Sequence, residues 1–304
     1  MKPDPQTVAF NAQIEAMLNA GPAWEGMGAQ ELRDHLRDNP LGPPPVLLDE
    51  AQTRTAPGPD GDVPLRVLVP EVVNGVYLYI HGGGWVIGTN DGADEALMAR
   101  AVATQQAVVS VGYRLAPEHR YPAPNDDCEA AAVWLAENAP AEFGTDKLTI
   151  GGESAGGHLA VTTMLRMRDK HDYRFRGAAL QCGVYDLSMS PSARNFGDRR
   201  LIINTPVMEW FIDHYASELD LTQPDISPIY ADLRDLAPAI FSVGTADPLL
   251  DDSLLLAAQW EAAGNETQLD VYPEAPHVFD AFPIPAGAEA TGRINSWLSR
   301  SLAD

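Results

Sequence analysis

Apolar and polar positions along the chain fall into two alternating patterns. From about Pro64 onward, short β-branched or apolar runs cover Leu65 to Val69, Val76 to Ile80, Val108 to Tyr113, Lys147 to Gly151, Gly177 to Cys182, Ala239 to Val243 and Gln268 to Tyr272, with helical patterns between them. Such alternation predicts an α/β fold, a doubly wound and mostly parallel sheet with helices on both faces. Two segments break the rhythm. Near the N-terminus Phe10, Ile14, Met17 and Leu18 recur at helical spacing, and Leu32 with Leu36 marks a second short helix. Between Tyr185 and Pro228 a long insertion carries Met208, Phe211, Ile212 and Tyr215 on one helical face. Each stripe alone reads as a helix packed on the core. Together they flank one end of the sheet and predict a helical cap, with residues 1–45 as its N-terminal part and 185–228 as its insertion, leaving 46–184 and 229–304 as the core.

Length and composition fit that picture. A chain of 304 residues, 45% apolar and 21% charged, can bury one substantial core. Lys+Arg 20 against Asp+Glu 43 leaves a net charge of −23, which repels phosphate backbones and anionic membrane faces. Nucleic-acid and membrane partners are not expected; the charge reads as solubility. Met1-Lys2-Pro3-Asp4-Pro5 lacks the basic-then-apolar pattern of a secretory signal, and no apolar run approaches the roughly 18 residues of a membrane span, so a cytoplasmic location is expected. Cys128 and Cys182 form neither a CxxC pair nor a metal-ligand cluster and read as two reduced, buried thiols, with no metal implied. Proline clusters at 40–45 and 117–124 mark loops.

The candidate chemistry begins with Gly152-Glu153-Ser154-Ala155-Gly156, a G-x-S-x-G pattern directly after one predicted strand and before the helical run from His158 to Met167. A sharp strand-to-helix turn lifts the Ser154 hydroxyl clear of the sheet, its flanking glycines leave room for strained backbone, and the helix N-terminus favours developing negative charge. The pattern alone also describes a simple helix cap; the context is what gives it weight. His81-Gly82-Gly83-Gly84-Trp85 follows a second strand end. There the N–H groups of Gly83 and Gly84, with that of Ala155, are expected to hold an oxyanion, an interaction worth about 10²–10³ in rate per donor. His81 itself reads as a brace for the loop.

In the hydrolases that use this serine turn, the acid and then the histidine follow the nucleophile in the chain. His35, His81 and His119 precede Ser154, while His158, His171 and His214 fall in its helix or in polar and cap-like segments, which leaves His277 as general base. Asp247, Asp251 and Asp252 compete as the acid. The last two immediately precede a predicted helix, where capping or dipole compensation explains at least one of them, and Asp247 is the choice.

Taken together, His81 to Trp85, Tyr113-Arg114-Leu115-Ala116-Pro117-Glu118-His119 with Tyr121-Pro122-Ala123, Gly152 to Gly157, Asp247-Pro248-Leu249 and His277-Val278-Phe279 make the chain resemble the hormone-sensitive-lipase family of bacterial esterases. The resemblance implies an α/β-hydrolase fold with an eight-stranded sheet, hydrolysis of short-to-medium acyl esters, no cofactor, and a cap built from the two helical segments. It allows a homodimer through the sheet edge bearing the last strand. Glu153 departs from the Asp common in such proteins; its side chain is expected to point away from the nucleophile. Arg114 and Glu118 are expected to pair with each other beneath the site. Trp85, Tyr185, Met208, Phe211 and Phe279 are candidate pocket walls, each also explicable as ordinary packing. Two rival readings stand: a hydrolase of amide, lactone or carbamate bonds, which the same residues would serve, and a non-catalytic small-molecule receptor, against which the retention of Ser154, Asp247 and His277 argues.

Overall fold

The computed structural model describes residues 3–42 and 44–303; Met1, Lys2, Pro43 and Asp304 lie outside the described residues. Its strands are β1 (Gln52–Gly58), β2 (Gly61–Leu68), β3 (Gly75–Ile80), β4 (Gln106–Val111), β5 (Leu148–Glu153), β6 (Gly177–Gln181), β7 (Ala239–Gly244) and β8 (Thr267–Tyr272). Its helices are α1 (Pro5–Ala20), α2 (Ala29–Asp38), α3 (Asp94–Thr104), α4 (Ala123–Phe143), α5 (Ala155–His171), α6 (Pro191–Asn195), α7 (Thr205–Ala216), α8 (Leu250–Ala262) and α9 (Pro285–Arg300). The strands form one eight-stranded sheet in the order β1-β2-β4-β3-β5-β6-β7-β8. The β1–β2 and β2–β4 pairs are antiparallel and the rest are parallel.

β3, β4, β6 and β7 are buried along their whole length, and β5 up to its last residue. Strands covered on both faces have no polar face to show, so they appear in the sequence as continuous apolar runs. The edge behaves differently. The expected run Leu65 to Val69 is the second half of β2, and β1, with Gln52-Thr53-Arg54-Thr55, carries no apolar run at all. It forms because the chain turns tightly between Gly58 and Gly61 and pairs back on β2. No helix among the described residues is long and apolar enough to cross a membrane.

α1 starts where Asp4 accepts the Gln6 N–H, with Pro5 in the first turn. Of its expected stripe, Ile14 and Leu18 are buried and Phe10 is half-buried against Phe282, but Met17 is exposed. α7 is capped by Asn204, whose side chain accepts the Val207 N–H, and buries Met208, Phe211, Ile212 and Tyr215 on one face.

One expected polar pairing is not formed. Arg114 does not meet Glu118: its backbone N–H and its guanidinium both engage the buried Asp127, and a second guanidinium nitrogen reaches Asp60. Glu118 takes a bidentate pair from Arg33 of α2, whose Nε and Nη2 also donate to the carbonyls of Val86 and Ala116. With Asp127 matched on both oxygens and Asp60 taking the remaining guanidinium nitrogen, Arg114 has no guanidinium nitrogen left for Glu118. Asp251 and Asp252 lie in the first turn of α8, where the dipole reading puts them, but neither side chain caps the helix. Asp251 accepts the Ser192 N–H, and Asp252 Oδ1 accepts the N–H groups of Tyr185 and Asp186 at 2.7 and 2.8 Å, so both root the insertion on α8.

Asp252 is fully buried, and burial raises its carboxyl from the ordinary carboxylate range to about 7. The unfolded chain ionises this group at about 4. The stability tied to it is therefore complete below about pH 4 and is lost as pH rises toward 7, where the unfolded state has released a proton the folded state still holds. Asp252→Asn keeps the acceptor and removes the proton. The difference in Tm between this variant and the parent should move in the variant's favour as pH rises through that window; a difference that stays constant would mean that Asp252 is ionised in the fold.

Candidate active site

β5 ends against β3, with Gly152 opposite Ile80 in the parallel register. The turn that follows presses so closely on β3 that a Cβ at Gly152 or Gly156 would fall well inside contact distance of the Ile80 carbonyl. The chain therefore reverses between two glycines, and Ser154 takes φ 55° and ψ −124°, a conformation that costs a non-glycine residue on the order of 1–3 kcal/mol. Backbone bonds hold it there, from Ser154 N–H to the Gln181 carbonyl (2.9 Å) and from His158 N–H to the Ser154 carbonyl (3.1 Å).

Asp247 and His277 stand on loops just beyond the C-terminal ends of β7 and β8. The structure brings them to Ser154: His277 Nε2 lies 2.9 Å from Ser154 Oγ, and His277 Nδ1 lies 2.9 Å from Asp247 Oδ2. Asp247 Oδ1 accepts the Leu249 N–H, so both carboxylate oxygens are engaged in a nearly water-free setting where Asp247 is 2% and His277 3% exposed. A ring proton on Nδ1, donated to Asp247 Oδ2, leaves Nε2 to accept from the serine hydroxyl.

The loop after β3 lies beside this arrangement. Gly83 and Gly84 have φ 108° and 57°, values that suit glycine. The Gly84 Cα faces the Phe211 ring so closely that any Cβ would collide with it. Their N–H groups donate to no acceptor among the described residues, and Ala155 occupies the first position of α5, where an amide has no partner within its helix. His81 is buried, stacks on Tyr113 and lies with Nδ1 2.8 Å from the Gly82 carbonyl; burial lowers its pKa to about 4, so it is a neutral brace. Trp85 stacks on Tyr215 and donates Nε1–H to His158 Nδ1, fastening the loop to the insertion.

Above Ser154 lies a cavity of about 430 Å³ with a mostly apolar lining. Trp85, Met208 and Phe211 line it, but Tyr185 and Phe279 do not. Tyr185 is buried edge-on against Phe241, and Phe279 packs on Tyr272, because each lies at a strand or loop end that turns into the core. Walls that the sequence reading passed over come from both helical segments: Trp24, Leu36 and Leu41 from the N-terminal one, Ile202 and Ile203 from the insertion. In the sequence Leu36 reads only as part of a helical pair with Leu32, and the others give a weak signal, an apolar pair ahead of a helix cap and single apolar residues beside prolines.

Glu153 has its own partners beside the nucleophile. It lines the same cavity, and its Oε1 accepts the Gly82 N–H (2.7 Å) and the Tyr79 O–H (2.9 Å). Burial raises its carboxyl to about 7, against the pull of those two donors. Cys128 and Cys182 are free and buried. Cys182 Sγ sits with the Asp247 and His277 ligand atoms inside 4.8 Å, yet Oδ2 and Nδ1 are already taken up with each other and burial pushes the thiol up, away from the thiolate a metal needs.

The match to known proteins covers the same ground. Residues 77–281 fit a family model described as the alpha/beta hydrolase fold. The chain is similar to carboxylesterase NlhH of Mycobacterium tuberculosis, 39% identical over 293 residues spanning 90% of each chain, and to ethyl acetate hydrolase of Pseudomonas putida, 34% identical over 92% of each. Among solved structures, a hyperthermophilic esterase from Pyrobaculum calidifontis superposes with a TM-score of 0.89 at 29% identity, covering all of both chains.

The contact between Gly84 and Phe211 generates a test. Gly84→Ala should lower kcat/KM on an ester substrate by about tenfold or more. Adding Phe211→Ala should recover part of the loss; no recovery would mean that the ring is not what the new methyl group meets.

Proposed function

The chain belongs to the α/β-hydrolase family, and from that premise we propose that it is a serine carboxylesterase in which Ser154 is the nucleophile, His277 the general base and Asp247 the acid that orients it. The observation that carries this reading is the unbroken path from Asp247 Oδ2 through His277 to Ser154 Oγ, both gaps 2.9 Å, at the floor of an apolar cavity. Ser154 Oγ attacks the ester carbonyl while His277 Nε2 takes its proton. Asp247 holds the imidazole in the tautomer that can accept and stabilises the imidazolium that forms. The carbonyl oxygen, now an anion, is held by the N–H groups of Gly83, Gly84 and Ala155. Collapse expels the alcohol, protonated by His277, and leaves an acyl-Ser154 that water, deprotonated by the same histidine, hydrolyses. No cofactor takes part.

Residues 1–45 and 185–228 act as the cap and 46–184 with 229–304 as the catalytic core, a division supported by the two segments' shared contribution to the cavity wall. The substrate is a neutral ester with a short-to-medium acyl chain. A mostly apolar space of about 430 Å³ favours uncharged groups of modest size, and the relative named ethyl acetate hydrolase points to the short end.

Two measurements test this. A dialkyl p-nitrophenyl phosphate should add one phosphoryl group per chain, at Ser154, and Ser154→Ala should take up none while losing about 10³-fold or more in kcat. Across p-nitrophenyl esters, acetyl and butyryl substrates should turn over faster than decanoyl and longer ones. Label on another residue, or an optimum at long chains, would overturn the nucleophile or the substrate class respectively.

A further inference from the structure

The loop that is proposed to hold the oxyanion is pinned one peptide plane at a time. Because a trans peptide carries its C=O and N–H in opposite directions, fixing either group aims the other. In the plane joining Gly83 to Gly84, the Gly83 carbonyl accepts from the N–H groups of Val86 (3.1 Å) and Ile87 (2.9 Å), which turns the Gly84 N–H the other way. In the plane joining Gly82 to Gly83, the Gly82 carbonyl faces His81 Nδ1 at 2.8 Å, which does the same for the Gly83 N–H. The plane before that, joining His81 to Gly82, sets the direction in which the loop leaves β3. Its carbonyl accepts the Tyr113 O–H (2.9 Å), and its N–H donates to Glu153 Oε1 (2.7 Å). Gly82 lies so flat on Glu153 that a Cβ would come within 2.9 Å of the Glu153 carbonyl.

We infer that Glu153 is a positioning residue for the oxyanion loop: by accepting the Gly82 N–H it fixes the first of these peptide planes and so aims the Gly83 and Gly84 N–H groups relative to Ser154 Oγ. This deepens the proposed function and rests on the reading of Gly83 and Gly84 as oxyanion donors. The placement is economical in structure, since Glu153 is the last residue of β5 and the neighbour of the nucleophile, so one strand end locates both attacking atom and anion site. Tyr79 of β3 donates to the same oxygen and steadies the carboxyl from below. Behind it, Arg100 donates to Gln181, which in turn donates to Asp280 on the loop that carries His277. The acceptor role does not require a charge, because a protonated carboxyl can still accept at Oε1. A glutamine in the same place keeps that acceptor.

The test compares Glu153→Ala, Glu153→Asp and Glu153→Gln in the full-length protein, with active sites counted by complete phosphorylation of Ser154. Per titrated site, kcat on p-nitrophenyl acetate should fall by about tenfold or more in the alanine variant and by less in the aspartate variant, with KM within about twofold. Glutamine should restore most of the lost rate. The Ki of a trifluoromethyl ketone, which forms an oxyanion on Ser154, should rise by the factor by which kcat/KM falls. Unchanged kcat and Ki per site in both the alanine and aspartate variants, whatever their stability, would overturn the proposal, as would a glutamine variant as slow as alanine. If the parent itself neither binds the ketone nor is phosphorylated on Ser154, the underlying functional reading fails instead.

Discussion

The close seating of the β5 end on the β3 end is the constraint from which the rest of the site follows. In a parallel pair the strand ends lie side by side, and here Gly152 faces Ile80 with no room for a side chain between the turn and the sheet. Glycine at 152 and 156 lets the turn sit that low. Ser154, between them, is forced into strained backbone with its hydroxyl raised, and α5 begins at the next residue. The loop after β3 starts at the same height, so the serine and the Gly83–Gly84 amides become neighbours without any long connection. Strain on the order of 1–3 kcal/mol at one residue is tolerable because buried hydrogen bonds on both sides of Ser154 over-determine its conformation.

Around that centre the chain spends few polar groups, but places them where segments meet. Arg33 fastens α2 to the Val86 and Ala116 carbonyls, flanking the loop that holds the candidate anion site. Asn11 of α1 donates to the Glu274 carbonyl near His277, and Arg199 of the insertion pairs with Glu15 of α1. Asp252 anchors the other end of the insertion. A buried polar group left unpaired is costly, so the buried contacts among these, above all those of Asp252, select one seating of the insertion over the core. The cavity wall between them is left to apolar side chains.

Much of this was legible in the chain. Fully buried strands must be apolar on both faces, so β3 to β7 stand out as runs, and G-x-S-x-G between a strand and a helix identified the turn. Chain order singled out His277, and Asp247 was separated from its neighbours by their place in α8. What stayed illegible has a common cause. The edge strand β1 is polar because one side faces water, and it exists by pairing with β2. Asp251 and Asp252 read as helix caps or dipole partners because local sequence shows only the nearest helix end, while the amides they accept from, Ser192, Tyr185 and Asp186, are distant in the chain. Arg114 and Glu118 sit four apart and invited pairing, yet each found a better partner in another element.

The sequence by itself therefore determined the fold class, the sheet's buried strands and the residue types gathered at their C-terminal ends, because hydrophobic periodicity and glycine at a tight turn are local requirements written position by position. Only the tertiary structure decided which side chains share the cavity, that Tyr185 and Phe279 do not while Trp24 and Ile202 do, and that Glu153 reaches the Gly82 amide. Those outcomes depend on distances between residues far apart in the chain, and a hydrogen bond or a shared wall exists only once packing has fixed those distances.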